Sequence, residues 1–200
     1  MKITKIESQV KNKGRYSVFV DEKFAFGISE LGLISSKIRT GQEITAAELE
    51  SLKDDAKLDK LYNLTLSLIM RRPRSRWEIQ DYLRRKKAEE PDSASILKLL
   101  EEKGFINDSD FARRWVENRR LLKSISRRKL ELELRQKRVP GDLIKQALEE
   151  DETDELEVLK REVEKKRQQT RYKDDLKLMQ YLSRQGYSYD NIKRALSGDG

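Results

Sequence analysis

Apolar residues return along this chain at a fixed long interval, and that interval restricts the fold more than any other feature of the sequence. Ile96, Ile144 and Ile192 are 48 residues apart, as are Leu100, Leu148 and Leu196. Upstream, Ile79, Leu130 and Leu178 correspond, as do Leu83, Leu134 and Leu182, at separations of 51 and then 48; an insertion near residues 88–90 accounts for the difference. Leu64, Trp115 and Val163 repeat at the same two separations, which predicts a core position for Trp115. Within each repeat the apolar residues fall at helical spacing, so the units read as three-helix modules over 57–106, 107–153 and 154–200. Units this small bury little alone and must share their cores with neighbours, which predicts an elongated array, straight or curved.

Local signals agree with helices. Ser75-x-x-Glu78 and Thr45-x-x-Glu48 are capping boxes, and Gly104 supplies a left-handed residue after the third helix of the first module. The first 28 residues differ, because apolar residues there alternate at a period of two. Ile6 and Val10, then Tyr16, Val18 and Val20, then Phe24, Phe26 and Ile28 predict three strands of an antiparallel β-meander over 1–28. Residues 29–56 read as a connector holding a short acidic helix that opens at the Thr45 box. The fold class is therefore mainly α, with three tandem modules behind a small sheet.

Chemistry is narrowed by absence. The 200 residues include no Cys and no His, which removes thiolate nucleophiles, zinc fingers and His-based triads. There is no Gly-rich phosphate loop. Asp108-Ser109-Asp110 offers two carboxylates to a magnesium ion, but an Asp opening a helix before Phe111 is better read as a cap. The expectation is a non-enzyme with no metal and no cofactor. The uncharged run Leu61–Met70 is too short to cross a membrane, and the charged N-terminus lacks a signal-type apolar core, which predicts a cytoplasmic monomer.

Charge supplies the positive clue. The chain carries 44 basic and 36 acidic residues, a net +8. Residues 71–138 alone hold 21 Lys or Arg against 12 Asp or Glu, whereas the remainder is nearly balanced, at 23 against 24. Arg outnumbers Lys in that segment by fourteen to seven, and the planar guanidinium suits phosphate and carboxylate partners. The candidate binding residues are Arg71, Arg72, Arg74, Arg76, Arg84, Arg85, Lys86, Arg113, Arg127, Arg128, Lys137 and Arg138. They gather on second helices and the turns leading into them. The third helices end in Glu101-Glu102 and Glu149-Glu150, which would repel phosphates, so reading of base edges is not expected. Trp77, Trp115 and Tyr62 are assigned to core positions, and Tyr187 and Tyr189 are left open as core or stacking residues. The acidic run 149–155 reads as a solvated joint.

Three strings carry a resemblance. They are Arg74-Ser75-Arg76-Trp77-Glu78-Ile79, then Leu100-Glu101-Glu102-Lys103-Gly104-Phe105-Ile106-Asn107-Asp108 leading to Phe111-Ala112, and Leu182-Ser183-Arg184-Gln185-Gly186-Tyr187 with Ile192 and Ala195-Leu196. In order and at the tandem period they resemble the RecX family over essentially the whole chain. The resemblance implies a non-enzymatic regulator of RecA recombinase in homologous recombination, DNA repair and the SOS response. Such a protein lodges in the groove of the RecA filament on single-stranded DNA and modulates, by inhibition, strand exchange, ATP hydrolysis and LexA cleavage. Ser124 and Arg138 stand where the family commonly has Gly, which bears on the turns there. The competing expectation from the arginines alone is an autonomous, sequence-tolerant DNA binder.

Overall fold

A computed structural model describes residues 1–197, so the last three residues of the third module expected over 154–200 lie outside the described residues. The chain divides into two compact units, Met1–Pro73 with Ile79–Phe105, and Arg74–Glu78 with the chain from Ile106 onward.

In the first unit, β1 (Ile3–Ser8), β2 (Arg15–Val20) and β3 (Lys23–Ser29) form an antiparallel sheet in the order β1-β2-β3. Alternation turns Ile3, Val18, Val20, Phe26 and Ile28 inward, where they join Ile38, Ile44, Leu49 and Ala56 in one cluster. Asp21 and Glu22 both adopt positive φ, 47° and 63°, which matches the two-residue turn that a right-twisted hairpin requires. Two sequence expectations fail here. Val10 is 95% exposed and lies past the end of β1. Phe24 does not share the inner face with Phe26, because a register shift after Val18 pairs Phe19 with Phe24 and reverses the alternation. Phe24 packs edge-on against Phe19 on the outer side.

The segment 29–56, expected as a connector with one short helix, carries a helix before residues 37–45 and the start of a long one after them. Ser29 caps α1 (Glu30–Ser36) by accepting from the Gly32 N–H at 3.1 Å. Thr45 and Glu48 form the anticipated capping box, yet the helix they open, α2 (Ala46–Ile69), runs unbroken for 24 residues. No Gly or Pro interrupts that stretch, so nothing stops the helix at residue 56, where a module boundary was expected. Asp59 ties α2 to the sheet, accepting from the Ser29 N–H at 2.9 Å and from Asn63 Nδ2 at 2.9 Å.

Three helix triplets follow in sequence. After α2 come α3 (Arg76–Arg85) and α4 (Glu90–Glu102); then α5 (Asp108–Leu122), α6 (Arg127–Gln136) and α7 (Gly141–Glu149); then α8 (Glu155–Arg167), a 3-10 turn (Thr170–Tyr172), α9 (Asp175–Arg184) and α10 (Tyr189–Ser197). The second and third helices obey the sequence frame. Ile79, Leu83, Leu130, Leu134, Leu178 and Leu182 are fully buried, and Ile96, Ile144 and Ile192 nearly so.

The first helices obey a different frame. Leu64 is exposed and Trp115 only half-buried, while the buried series is Thr65, Val116 and Val163, preceded by Leu61, Ala112 and Leu159. Its separations are 51 and 47, and the helix caps Asn107 and Asp154 are likewise 47 apart. Val163 is therefore the counterpart of Val116, and the missing residue is returned in the longer link between α8 and α9.

The second unit is joined by one device used twice. The Ser75 hydroxyl donates to the Lys137 carbonyl at 2.8 Å and accepts from the Glu78 N–H. The Ser126 hydroxyl donates to the Gln185 carbonyl at 2.8 Å and accepts from the Lys129 N–H. In each case a buried cap serine of one second helix fastens the end of the next second helix. Beside each, the first N–H of the helix meets a carboxylate at the start of the next triplet's first helix: Arg76 N–H on Asp108 of α5 at 2.7 Å, Arg127 N–H on Glu155 of α8 at 2.6 Å.

The second helices also end alike. Lys87, Arg138 and Gly186 occupy equivalent positions at φ 58°, 56° and 90°, and the next N–H reaches back to Leu83, Leu134 or Leu182. At Gly186 a Cβ would lie 2.4 Å from the Ser126 oxygen and 3.4 Å from the Lys129 nitrogen. Gly186→Ala should therefore combine a left-handed backbone cost with loss of the Ser126 bonds, about 2–3 kcal/mol together. Gly104, also at positive φ but with open space around it, should lose only about 1 kcal/mol on the same change. Urea unfolding of both variants checks the difference; equal losses would contradict the junction geometry.

Candidate binding surface

The twelve basic candidates divide between the units. Arg71, Arg72, Arg84, Arg85 and Lys86 belong to the first, and Arg74, Arg76, Arg113, Arg127, Arg128, Lys137 and Arg138 to the second. Their surroundings sort them further.

Several are engaged locally. Arg84 and Arg85 both turn to Asp81, at 2.6 and 3.1 Å, and the Arg84 hydrogen bond holds that carboxyl below its usual range. Arg113 pairs with Asp110 at 2.5 Å and reaches Glu117, and its hydrogen bond likewise depresses Asp110. Lys86 lies over the Tyr82 ring. These pairs are solvent-exposed and worth little to stability, so the cations stay open to exchange with an anionic partner.

Lys137 is different. Its ammonium bonds Glu78 at 2.8 Å, is half-buried, and lies 5.3 Å from the Trp115 ring centre. It braces the first junction and is framework, not a waiting cation. Arg119, absent from the sequence candidates, is a second cation over the same ring, its guanidinium 4.6 Å from the ring centre, and it bonds Glu133 at 2.7 Å. Glu133 also accepts from the Trp115 indole N–H at 3.0 Å. Trp115 is thus a half-buried polar strut beside the core.

Arg127, Arg128 and Arg138 present exposed side chains with no ion pair among the described residues. Arg127 and Arg128 open α6, where the helix dipole adds partial positive charge. Arg76 holds the equivalent opening position of α3, fixed by the same junction bonds. The structure thus repeats a basic helix start, which the spacing of Arg76 and Arg127 already suggested.

Other expectations need correction. Trp77, assigned to the core, is substantially exposed, because residues 77, 128 and 176 share an outward position at the start of the second helices. Tyr187 is buried and Tyr189 exposed. The cap of α5 is Asn107, which accepts from the Asp110 N–H at 3.0 Å; Asp108 instead accepts from Arg76. The acidic run is not simply a solvated joint, since Asp151 is buried against Arg120. Among the described residues no group of three or more acidic side chains is placed to hold a metal, and no helix is long and apolar enough to cross a membrane.

Comparison with known proteins places these features in a lineage. Residues 1–45 match the model of the regulatory protein RecX N-terminal domain, residues 107–148 that of the second RecX three-helix domain, and residues 152–196 that of the third. The chain is 34% identical over 200 residues to the regulatory protein RecX of Listeria innocua serovar 6a, covering 98% of this chain and 74% of that one. It is 29% identical to the Bacillus subtilis strain 168 protein of the same name, covering 97% and 75%. Against regulatory protein RecX of Listeria monocytogenes serotype 4b strain F2365 the identity is 36% over 150 residues, 75% of this chain but only 56% of that one, little more than half its length. Among solved structures, a crystal structure of regulatory protein RecX superposes with a TM-score of 0.73 at 25% identity, covering 98% of both chains. The fold is also that of RecX from Lactobacillus salivarius, with a TM-score of 0.61 at 24% identity over 70% of this chain and 95% of that one.

Proposed function

This chain belongs to the RecX family of regulatory proteins, and from that premise we propose that it regulates RecA recombinase by binding, without catalysing a reaction. It seats against the RecA filament on single-stranded DNA and restrains ATP hydrolysis, strand exchange and coprotease activity. The modules beginning at residues 107 and 154 are its repeating contact units, and the first module begins within α2. Arg127 and Arg128, with Arg76 and Arg138, make the principal contacts; Arg71, Arg72, Arg74, Arg84, Arg85, Lys86 and Arg113 add to the field around them.

One observation carries this reading: a basic helix start recurs at α3 and α6, held each time by the same serine and carboxylate bonds. A cationic element repeated along a rigid framework suits a track whose anionic groups also repeat. Arginine suits carboxylates and phosphates, and although Trp77 stands exposed beside Arg76, α6 carries no aromatic residue beside Arg127 and Arg128 on which a base could stack. Lys137 is left out because Glu78 and Trp115 already occupy it.

The test is ATP hydrolysis by RecA on single-stranded DNA as this protein is titrated in. Hydrolysis should fall at substoichiometric amounts of the protein. No change at equimolar protein would refute the reading. A fall matched by equal effects on unrelated DNA-dependent enzymes would favour the autonomous DNA binder.

A further inference from the structure

A depression of about 440 Å³ lies in the second unit between α6 and the C-terminal turn of α9. Arg128, Leu132 and Arg135 form its α6 wall, at spacings of four and three that put them on one helix face. Ser183 and Arg184 line it from α9, and Gly186 is in the lining because no side chain fits there beside Ser126. The space is therefore built into the junction and does not depend on a flexible loop.

Its charge is one-sided. Arg128 and Arg184 are exposed and make no ion pair among the described residues. Arg135 shares only the exposed Glu131, at 2.8 Å, the one carboxylate in the lining. Lys129 is held by the Gln185 side-chain oxygen, a neutral partner that leaves its charge uncancelled. Amid these cations Leu132 is 55% exposed on a face where a polar residue would be expected.

We propose that this depression docks an acidic segment of a partner protein, its carboxylates on Arg128 and Arg184 and an apolar side chain on Leu132. A phosphodiester strand would satisfy the guanidinium groups but leave Leu132 in water, and the lining contains no aromatic ring on which a base could stack. A peptide carrying both carboxylates and an aliphatic residue uses every group present, in the manner of an arginine-anchored protein contact. The site shares Arg128 with the surface proposed above, but Leu132 and Arg184 lie outside that surface and the binding test uses no filament, so its failure is distinguishable from failure of the regulatory reading.

The experiment measures fluorescence anisotropy of a short labelled peptide of Asp and Glu with a central Leu, against an oligothymidylate of matched charge, on the whole chain. The peptide should bind more tightly than the oligothymidylate. Arg128→Glu together with Arg184→Glu should weaken the peptide by about a hundredfold, and Leu132→Ser by about fivefold to tenfold, with circular dichroism unchanged because all three side chains face solvent. Leu132→Ser should leave oligothymidylate binding unaltered. Absence of peptide binding at about millimolar concentration overturns the proposal, as does peptide binding indifferent to Leu132→Ser, which would mark plain charge attraction.

Discussion

Replacing Asp151 with Ala should destabilise the second unit by about 3 kcal/mol, although the residue sits in a run of seven that reads as surface. Its side chain is 7% exposed and that of Arg120 is 9% exposed. Arg120 Nε and Nη2 both donate to Asp151 Oδ2, at 2.8 and 2.7 Å, while Nη1 donates to the Ile125 carbonyl at 2.6 Å. Removing the carboxylate strands a guanidinium inside the protein with two of these three hydrogen bonds gone, which costs far more than the intact pair contributes. Replacing both partners with apolar residues, Arg120→Met with Asp151→Leu, should recover much of the loss. Burial pushes the Asp151 carboxyl up, but the hydrogen bonds from Arg120 and Thr153 outweigh it and hold the group below its usual range. A lowered folded-state value means that the stabilisation is present above the unfolded-state pKa, about 3.9, and disappears as the pH falls through the folded-state value. Urea unfolding of the wild type and of Asp151→Ala should therefore differ most near neutrality and converge in acid below about pH 4. A constant difference across that range would show that the pair does not act through its charge.

Reversing Arg127 and Arg128 to Glu together should weaken the action on RecA by about 10- to 100-fold, read as the concentration giving half-maximal reduction of ATP hydrolysis. Both side chains are exposed and carry no ion pair among the described residues, so the folded framework has little to lose. The reversal also places two carboxylates at the positive end of α6, which is favourable for the helix itself. A drop in helicity is thus not expected, and far-UV circular dichroism provides the check. Reversing Arg84 and Arg85 should have a smaller effect, because Asp81 already screens them. Equal effects of the two pairs would mean that only net charge matters.

Where an apolar side chain marks the core, the sequence was readable: Leu83, Leu134 and Leu182 are fully buried at the spacing their identities announce. It misled where a polar group does that work. Thr65 is fully buried, and its hydroxyl is satisfied by the Leu61 carbonyl at 2.8 Å, so a pattern built on apolar residues passes over it and selects Leu64. Glu162, buried in α8, accepts from the Tyr181 hydroxyl at 2.8 Å and hides the frame in the same way. Phe24 was misplaced because one extra residue in β3 reverses the alternation, and no single residue announces a bulge. For the binding surface, charge totals located the basic segment but not its division of labour. Lys137 and Arg119 look like any other cations until the fold brings Trp115, Glu78 and Glu133 beside them. The junction serines were visible only as caps, since their second partners, Lys137 and Gln185, lie about sixty residues away in the chain.

Sedimentation of preassembled RecA filaments on single-stranded DNA tests the regulatory reading without relying on an enzymatic rate. At about 50 mM salt the protein should enter the pellet with the filaments, and it should be released progressively as salt rises to about 200 mM, the signature of a contact made by several arginines. A protein that stays in the supernatant beside intact filaments at low salt, while binding the same DNA when naked, would contradict the account.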